Sequence, residues 1–132
     1  LQPERGSTHY LLGCVRLSQG DPEAALAELE QETKSLGNRL MGLACVHYAL
    51  GQEEDADAAL AELTERFSRG AEVQIATVYA FRGDADRAFE WLEKAYTDRD
   101  PGLWQMKGLP LLKNLERDPR YPAFLEKMGL PI

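Results

Sequence analysis

One phrase recurs three times along this chain and restricts what it can fold into more than any other feature. Gly20-Asp21-Pro22-Glu23-Ala24-Ala25, Gly51-Gln52-Glu53-Glu54-Asp55-Ala56 and Gly83-Asp84-Ala85-Asp86-Arg87-Ala88 follow one another at intervals of 31 and 32 residues. A glycine after an apolar-periodic stretch stops a helix, because it adopts the left-handed conformation without a Cβ penalty. The acidic residues behind it open the next helix, where the backbone dipole favours negative charge. Each phrase is therefore the turn of a helical hairpin. A fixed period of this length implies hairpins stacked side by side, each burying the apolar face of its neighbour.

The stretch before each glycine carries residues at i, i+3, i+4 and i+7: His9, Leu12, Gly13 and Arg16; Leu40, Leu43, Ala44 and His47; Glu72, Ile75, Ala76 and Tyr79. The stretch after it carries Ala25 and Leu29, Ala56 and Leu60, Ala88 and Leu92, four apart each time. Two helices approach closely only where side chains are small, so Gly13/Ala25, Ala44/Ala56 and Ala76/Ala88 are the expected contacts within the hairpins. In these residues the chain resembles the tetratricopeptide repeat, whose W-x2-L-G-x2-Y and A-x3-F pattern returns about every 34 residues. The units are degenerate, with His9, Leu40 and Glu72 in the aromatic opening slot.

Beyond Tyr96 the character changes. Pro101, Pro110, Pro119, Pro122 and Pro131 crowd into residues 101–132, and the charge turns from −9 over residues 1–100 to +2. Long helices do not run through such a segment. Trp104, Gly108 and Leu111 nevertheless stand where a repeat's Trp, Gly and Tyr belong. The expectation is a decayed, proline-interrupted fourth unit, with a helical piece from Leu111 to Glu116 and a last helix after Asp118-Pro119 that stops at Gly129. Arrays need an atypical end unit to cover the last apolar face, and Trp104, Leu111, Leu112, Leu115, Tyr121, Phe124 and Leu125 supply it. The whole reading is an all-α solenoid: repeat one at about 6–36, repeat two at 37–68, repeat three at 69–100, and a capping unit at 101–132.

The stretch 83–130, with Trp91, Tyr96, Asp98, Asp100-Pro101, Asp118-Pro119-Arg120 and Met128-Gly129-Leu130, is similar to the tail of tetratricopeptide segments in bacterial signalling proteins. There such arrays accompany winged-helix regulators, class III nucleotide cyclases or serine/threonine kinases. The resemblance implies a bacterial regulatory module that binds protein and carries no catalysis itself.

The residues agree with a binding role. A net charge of −7 offers no basic face for nucleic acid. No apolar run is long enough to span a membrane, and no signal-peptide pattern is present. Cys14 and Cys45 make neither a disulfide framework nor a metal spacing, which points to the cytoplasm. The sequence contains no phosphate loop, dinucleotide fingerprint, nucleophile elbow or zinc helix, so no enzyme activity or cofactor is expected. His9 and His47 fill packing slots. The acidic clusters around Glu28, Glu53 and Asp84 read as solvated outer faces of second helices.

What remains is a groove lined by the first helices. By the resemblance its slots are Tyr10, Cys14 and Leu17, then Asn38, Met41, Cys45 and Tyr48, then Val73, Gln74, Thr77 and Phe81. They are small, apolar or weakly polar, and lack the cationic clamp that the family uses for terminal carboxylates. An apolar peptide or protein segment, or another part of the parent protein, is the expected partner. An alternative is that Tyr10, Tyr48 and Phe81 simply fill the groove as extra core. A second reading is self-association, a homodimer formed through Leu11, Leu12, Val15 and Leu17 of the first helix, and a third, less favoured, is a small-molecule sensor.

Overall fold

A computed structural model describes residues 8–31, 36–67, 70–100, Leu103 and 110–129. Among these residues the chain is all-helical: α1 (Thr8–Ser18), α2 (Pro22–Glu30), α3 (Leu36–Ala49), α4 (Glu53–Phe67), α5 (Glu72–Phe81), α6 (Ala85–Asp98), a 3-10 helix (Pro110–Leu115) and α7 (Arg120–Met128). The slots expected at Trp104 and Gly108 lie outside the described residues, as do the side chains of Tyr10, Leu11 and Leu111.

The three recurring phrases build one turn three times. Gly20, Gly51 and Gly83 have φ of 80°, 78° and 82°, in the left-handed region. The next amide reaches back in each case to the carbonyl five residues earlier: Asp21 to Arg16, Gln52 to His47 and Asp84 to Tyr79, at 3.0, 2.8 and 2.9 Å. Those bonds satisfy carbonyls that the helix end would leave open. Asp21 and Asp84 then cap the following helices, their carboxylates accepting from the amides of Ala24 and Arg87 at 3.1 and 3.2 Å. Gln52 departs from this pattern, since its side-chain oxygen lies 2.6 Å from His47 Nδ1 instead.

Helices α1 and α2, α3 and α4, and α5 and α6 pack as pairs, and α3 also lies between α1 and α5. Ala25, Ala44, Ala56, Ala76 and Ala88 are all completely buried. A Cβ on Gly13 would come within 2.9 Å of Leu29 Cγ and 3.4 Å of the Ala25 carbonyl oxygen, so α1 and α2 touch where the sequence supplies its smallest residues. Helix α5 is buried nearly all round, from Glu72 through Val73, Ile75, Ala76, Thr77, Val78 and Ala80. Such a helix belongs inside, because it has no polar face to turn to water. Ile75 and Val78 join a core with α1 to α4, while Val73, Ala76 and Ala80 join a second core with α6, α7 and the 3-10 helix.

Among the described residues after α6 the helices are short, Pro110–Leu115 and Arg120–Met128. Pro122 stands in the first turn of α7, where no intrahelical donor is lost. Gly129 ends α7 with φ 76°. Leu103, Leu112, Leu115, Tyr121, Phe124, Leu125 and Met128 bury against α5 and α6. On α4, Glu53, Glu54, Asp55 and Asp57 are all exposed. No helix among the described residues is long and apolar enough to cross a membrane.

Candidate functional site

The expected groove slots occupy the neighbouring helices α1, α3 and α5, and the structure divides them sharply. Cys14, Leu17, Met41, Cys45, Val73 and Thr77 are buried, with Met41 and Thr77 at 1% exposure. A side chain buried to that degree presents no atoms to a ligand. Asn38, Gln74 and Phe81 are half-buried, and Tyr48 is 37% exposed. Tyr10 lies on α1 with its side chain outside the described residues.

Cys14, Leu17, Met41 and Cys45 are buried in the core of α1 to α4, and Val73 in the core that also takes in the 3-10 helix. The 3-10 helix Pro110–Leu115 lies against both α5 and α1, although α3 separates those two. Its Leu112 and Leu115 are each 1% exposed. Asn114 Nδ2 donates to the Ala80 carbonyl on α5 at 3.1 Å. Asp100, just past the end of α6, is held by the same helix, the amide of Val73 donating to its Oδ2 at 3.2 Å.

The slots that keep some exposure join into two pairs across α3 and α5. Gln74 Nε2 donates to Asn38 Oδ1 at 3.1 Å. Tyr48 and Phe81 meet edge to face, with ring centroids 6.3 Å apart and planes at 78°. The Arg82 guanidinium stands 5.0 Å over the Tyr48 ring and reaches Asp57 Oδ1 at 2.9 Å. Arg82 thus ties three helices at one edge of the face, a role with no signal in the repeat pattern.

The chemistry available here is modest. Neither cysteine is in a disulfide. Burial pushes the Cys45 thiol well above its ordinary range, the neighbouring Cys14 adds to this and Arg82 opposes it. Cys45 is therefore a neutral thiol and a poor nucleophile. The Thr77 hydroxyl donates to the Val73 carbonyl at 2.7 Å within its own helix. Glu72, which sequence reasoning left as a degenerate slot, is fully buried and accepts from the Gly70 amide at 2.6 Å. Burial raises its pKa, as do the Asp98 carboxyl and the charge of Asp100. Among the described residues no group of three His, Cys, Asp or Glu is placed to hold a metal ion.

A second concavity, of about 790 Å³, runs between α6 and α7 over Phe89, Ala123 and Phe124. Four of the charges on its rim pair with one another, Arg120 with Asp86 at 3.0 Å and Lys127 with Glu93, and Glu90 lines it as well. No family model matches the chain, and no curated protein or solved structure matches it either.

Proposed function

We propose that the chain is a non-catalytic scaffold for protein–protein interaction, a short solenoid of three tetratricopeptide-like hairpins closed by a C-terminal cap. It holds a peptide or protein segment along the face of α1, α3 and α5, as a cytoplasmic module of a bacterial regulatory protein. The observation that carries this is the threefold turn, with glycine in the left-handed region at 20, 51 and 83 and the same backward hydrogen bond after each. Three hairpins built alike, with α1, α3 and α5 adjacent, give a continuous surface rather than a convergent pocket, and such surfaces suit extended partners.

Capture of a protein from a bacterial extract by the immobilised chain, followed by single substitutions, tests the reading. Tyr48→Glu and Gln74→Glu put charge into the exposed part of the face at little cost to folding, and each is expected to lose the captured protein. Glu62→Lys and Glu90→Lys, on the outer helices, are expected to keep it. The opposite pattern would move the binding surface to the acidic outer helices.

Self-association is a second reading, favoured by one observation. Leu12 and Val15 on α1 and Leu36 at the start of α3 are 36%, 43% and 40% exposed. Leu17, expected in the same patch, is buried instead. Light scattering behind a sizing column separates monomer from dimer, and Val15→Glu would abolish a dimer built on this patch.

A further inference from the structure

The first helices of the hairpins form a face against which the chain sets a piece of itself. Helices α1, α3 and α5 already pack side by side, so the 3-10 helix Pro110–Leu115 is not needed to join them. Six residues of 3-10 helix are only about 12 Å long. Neighbouring helix axes stand about 8–10 Å apart, which puts α1 and α5 roughly twice that from each other across α3. An element this short that approaches both bridges them, anchored at Ala80 near the end of α5.

Its contacts are those of a bound peptide. Leu112 and Leu115, three residues apart, turn the same way and are buried. Between them Lys113 and Asn114 face outward, yet the Asn114 amide still reaches back to bond the Ala80 carbonyl. Two apolar anchors and one hydrogen bond to main chain form a small recognition unit. Of the expected slots, Val73 shares a core with these two leucines, whereas Cys14 and Met41 lie in the core of α1 to α4.

Resting on the scaffold reading above, we propose that Pro110–Leu115 is an internal ligand of the α1–α3–α5 face. It holds the face closed against an outside partner of the same chemistry: a short turn with leucines three residues apart and a side-chain amide between them. The partner binds by displacing it. Tethering gives the internal segment a high effective concentration, so an outside segment is handicapped by the small fraction of chains whose face is open. Any change that weakens the internal contact raises that fraction and tightens outside binding in proportion, as long as the open state stays a minority.

The probe is a labelled synthetic peptide with the sequence of residues 108–117, Gly-Leu-Pro-Leu-Leu-Lys-Asn-Leu-Glu-Arg, titrated into the full chain with fluorescence anisotropy as the readout. The intact chain is expected to bind it weakly. Asn114→Ala, which deletes one hydrogen bond, is expected to bind it about fivefold more tightly, and Leu112→Ala at least about tenfold more tightly. A peptide with serine at the two anchor leucines is expected not to bind either variant. Should Leu112→Ala lose its helical circular dichroism, Asn114→Ala decides. Variants that keep wild-type helicity and bind the peptide no better than the intact chain would overturn the proposal. The probe involves no outside protein, so that failure would leave the capture experiment standing. Loss of the captured protein by the outer-face variants would overturn the scaffold reading without altering the peptide titration.

Discussion

Leu29 of α2 fills the space that a side chain on Gly42 of α3 would need. A Cβ built on Gly42 would lie 2.8 Å from Leu29 Cδ1 and 3.1 Å from its Cγ, and Leu29 also presses on Gly13 of α1. One buried leucine thus wedges into two glycine notches and sets how closely the first hairpin sits on the second.

Gly42→Ala is therefore expected to destabilise the fold. Overpacking a filled core costs about 1–3 kcal/mol, against about 1 kcal/mol gained from replacing glycine in a helix. Gly37→Ala, five residues earlier in the same helix with nothing within 4 Å of the added carbon, is expected to be neutral or stabilising by up to about 1 kcal/mol. Thermal unfolding of the two variants gives the signs. Equal melting temperatures would mean that Leu29 does not key into α3.

Met41 and Tyr48 stand one below the other among the expected groove slots but lie in opposite environments. Met41→Glu would bury an unpaired charge and is expected to cost about 3 kcal/mol or more. Tyr48→Glu loses only an edge contact and part of a cation–π pair and is expected to cost about 1 kcal/mol. Denaturant titration separates them, and similar midpoints would show that Met41 is not in the core.

Glu72 gives the stability a pH dependence of known sign. Its carboxyl has a higher pKa folded than unfolded. The folded state therefore holds that proton more tightly, and the group's contribution is full below the unfolded carboxylate range and is lost as pH rises through the folded value. Glu72→Gln keeps an oxygen for the Gly70 amide and removes the charge. It is expected to raise the melting temperature at pH 7, with the advantage shrinking toward pH 4. A variant less stable than the parent at pH 7 would show that the ionised carboxylate is stabilising.

Asp118 behaves in the opposite sense. Its carboxylate accepts from the Arg120 side chain, with Nε at 3.0 Å and Nη2 at 2.9 Å, and from the Arg120 amide at 2.9 Å. These bonds hold its pKa to about 2. Its contribution is present above the unfolded carboxylate range and is lost only as pH falls toward that value. A carboxyl-carbon NMR titration of the intact chain should find Asp118 ionised at pH 3, and Arg120→Ala should return it to ordinary behaviour.

The parts of this fold that were legible are those written in local chemistry. Gly20, Gly51 and Gly83 announce left-handed turns because glycine enters that region freely. Asp21 and Asp84 announce caps, Pro119 and Gly129 bracket the last helix, and the buried alanines mark close helix contacts. The state of the face was not legible. Met41, Val73 and Thr77 are groove slots by the resemblance alone, and their surroundings come from elsewhere in the chain: Met41 lies in the core of α1 to α4, and Val73 in the core that takes in Leu112 and Leu115. Burial of Glu72 was hidden likewise, since its surroundings are assembled from Asp98 and Asp100 at the far end of the next helix. Arg82 was missed because its partners, Tyr48 and Asp57, belong to the preceding hairpin.

The central claim is that the face of α1, α3 and α5 is where this chain meets other protein. Hydrogen–deuterium exchange of the full chain, with and without the captured protein, tests it most directly. The result expected is new protection in α1, α3 and α5, around Asn38, Tyr48, Gln74 and Phe81, together with faster exchange in Pro110–Leu115 as that segment is displaced. New protection confined to α2, α4 and α6, with residues 110–115 unchanged, would contradict it.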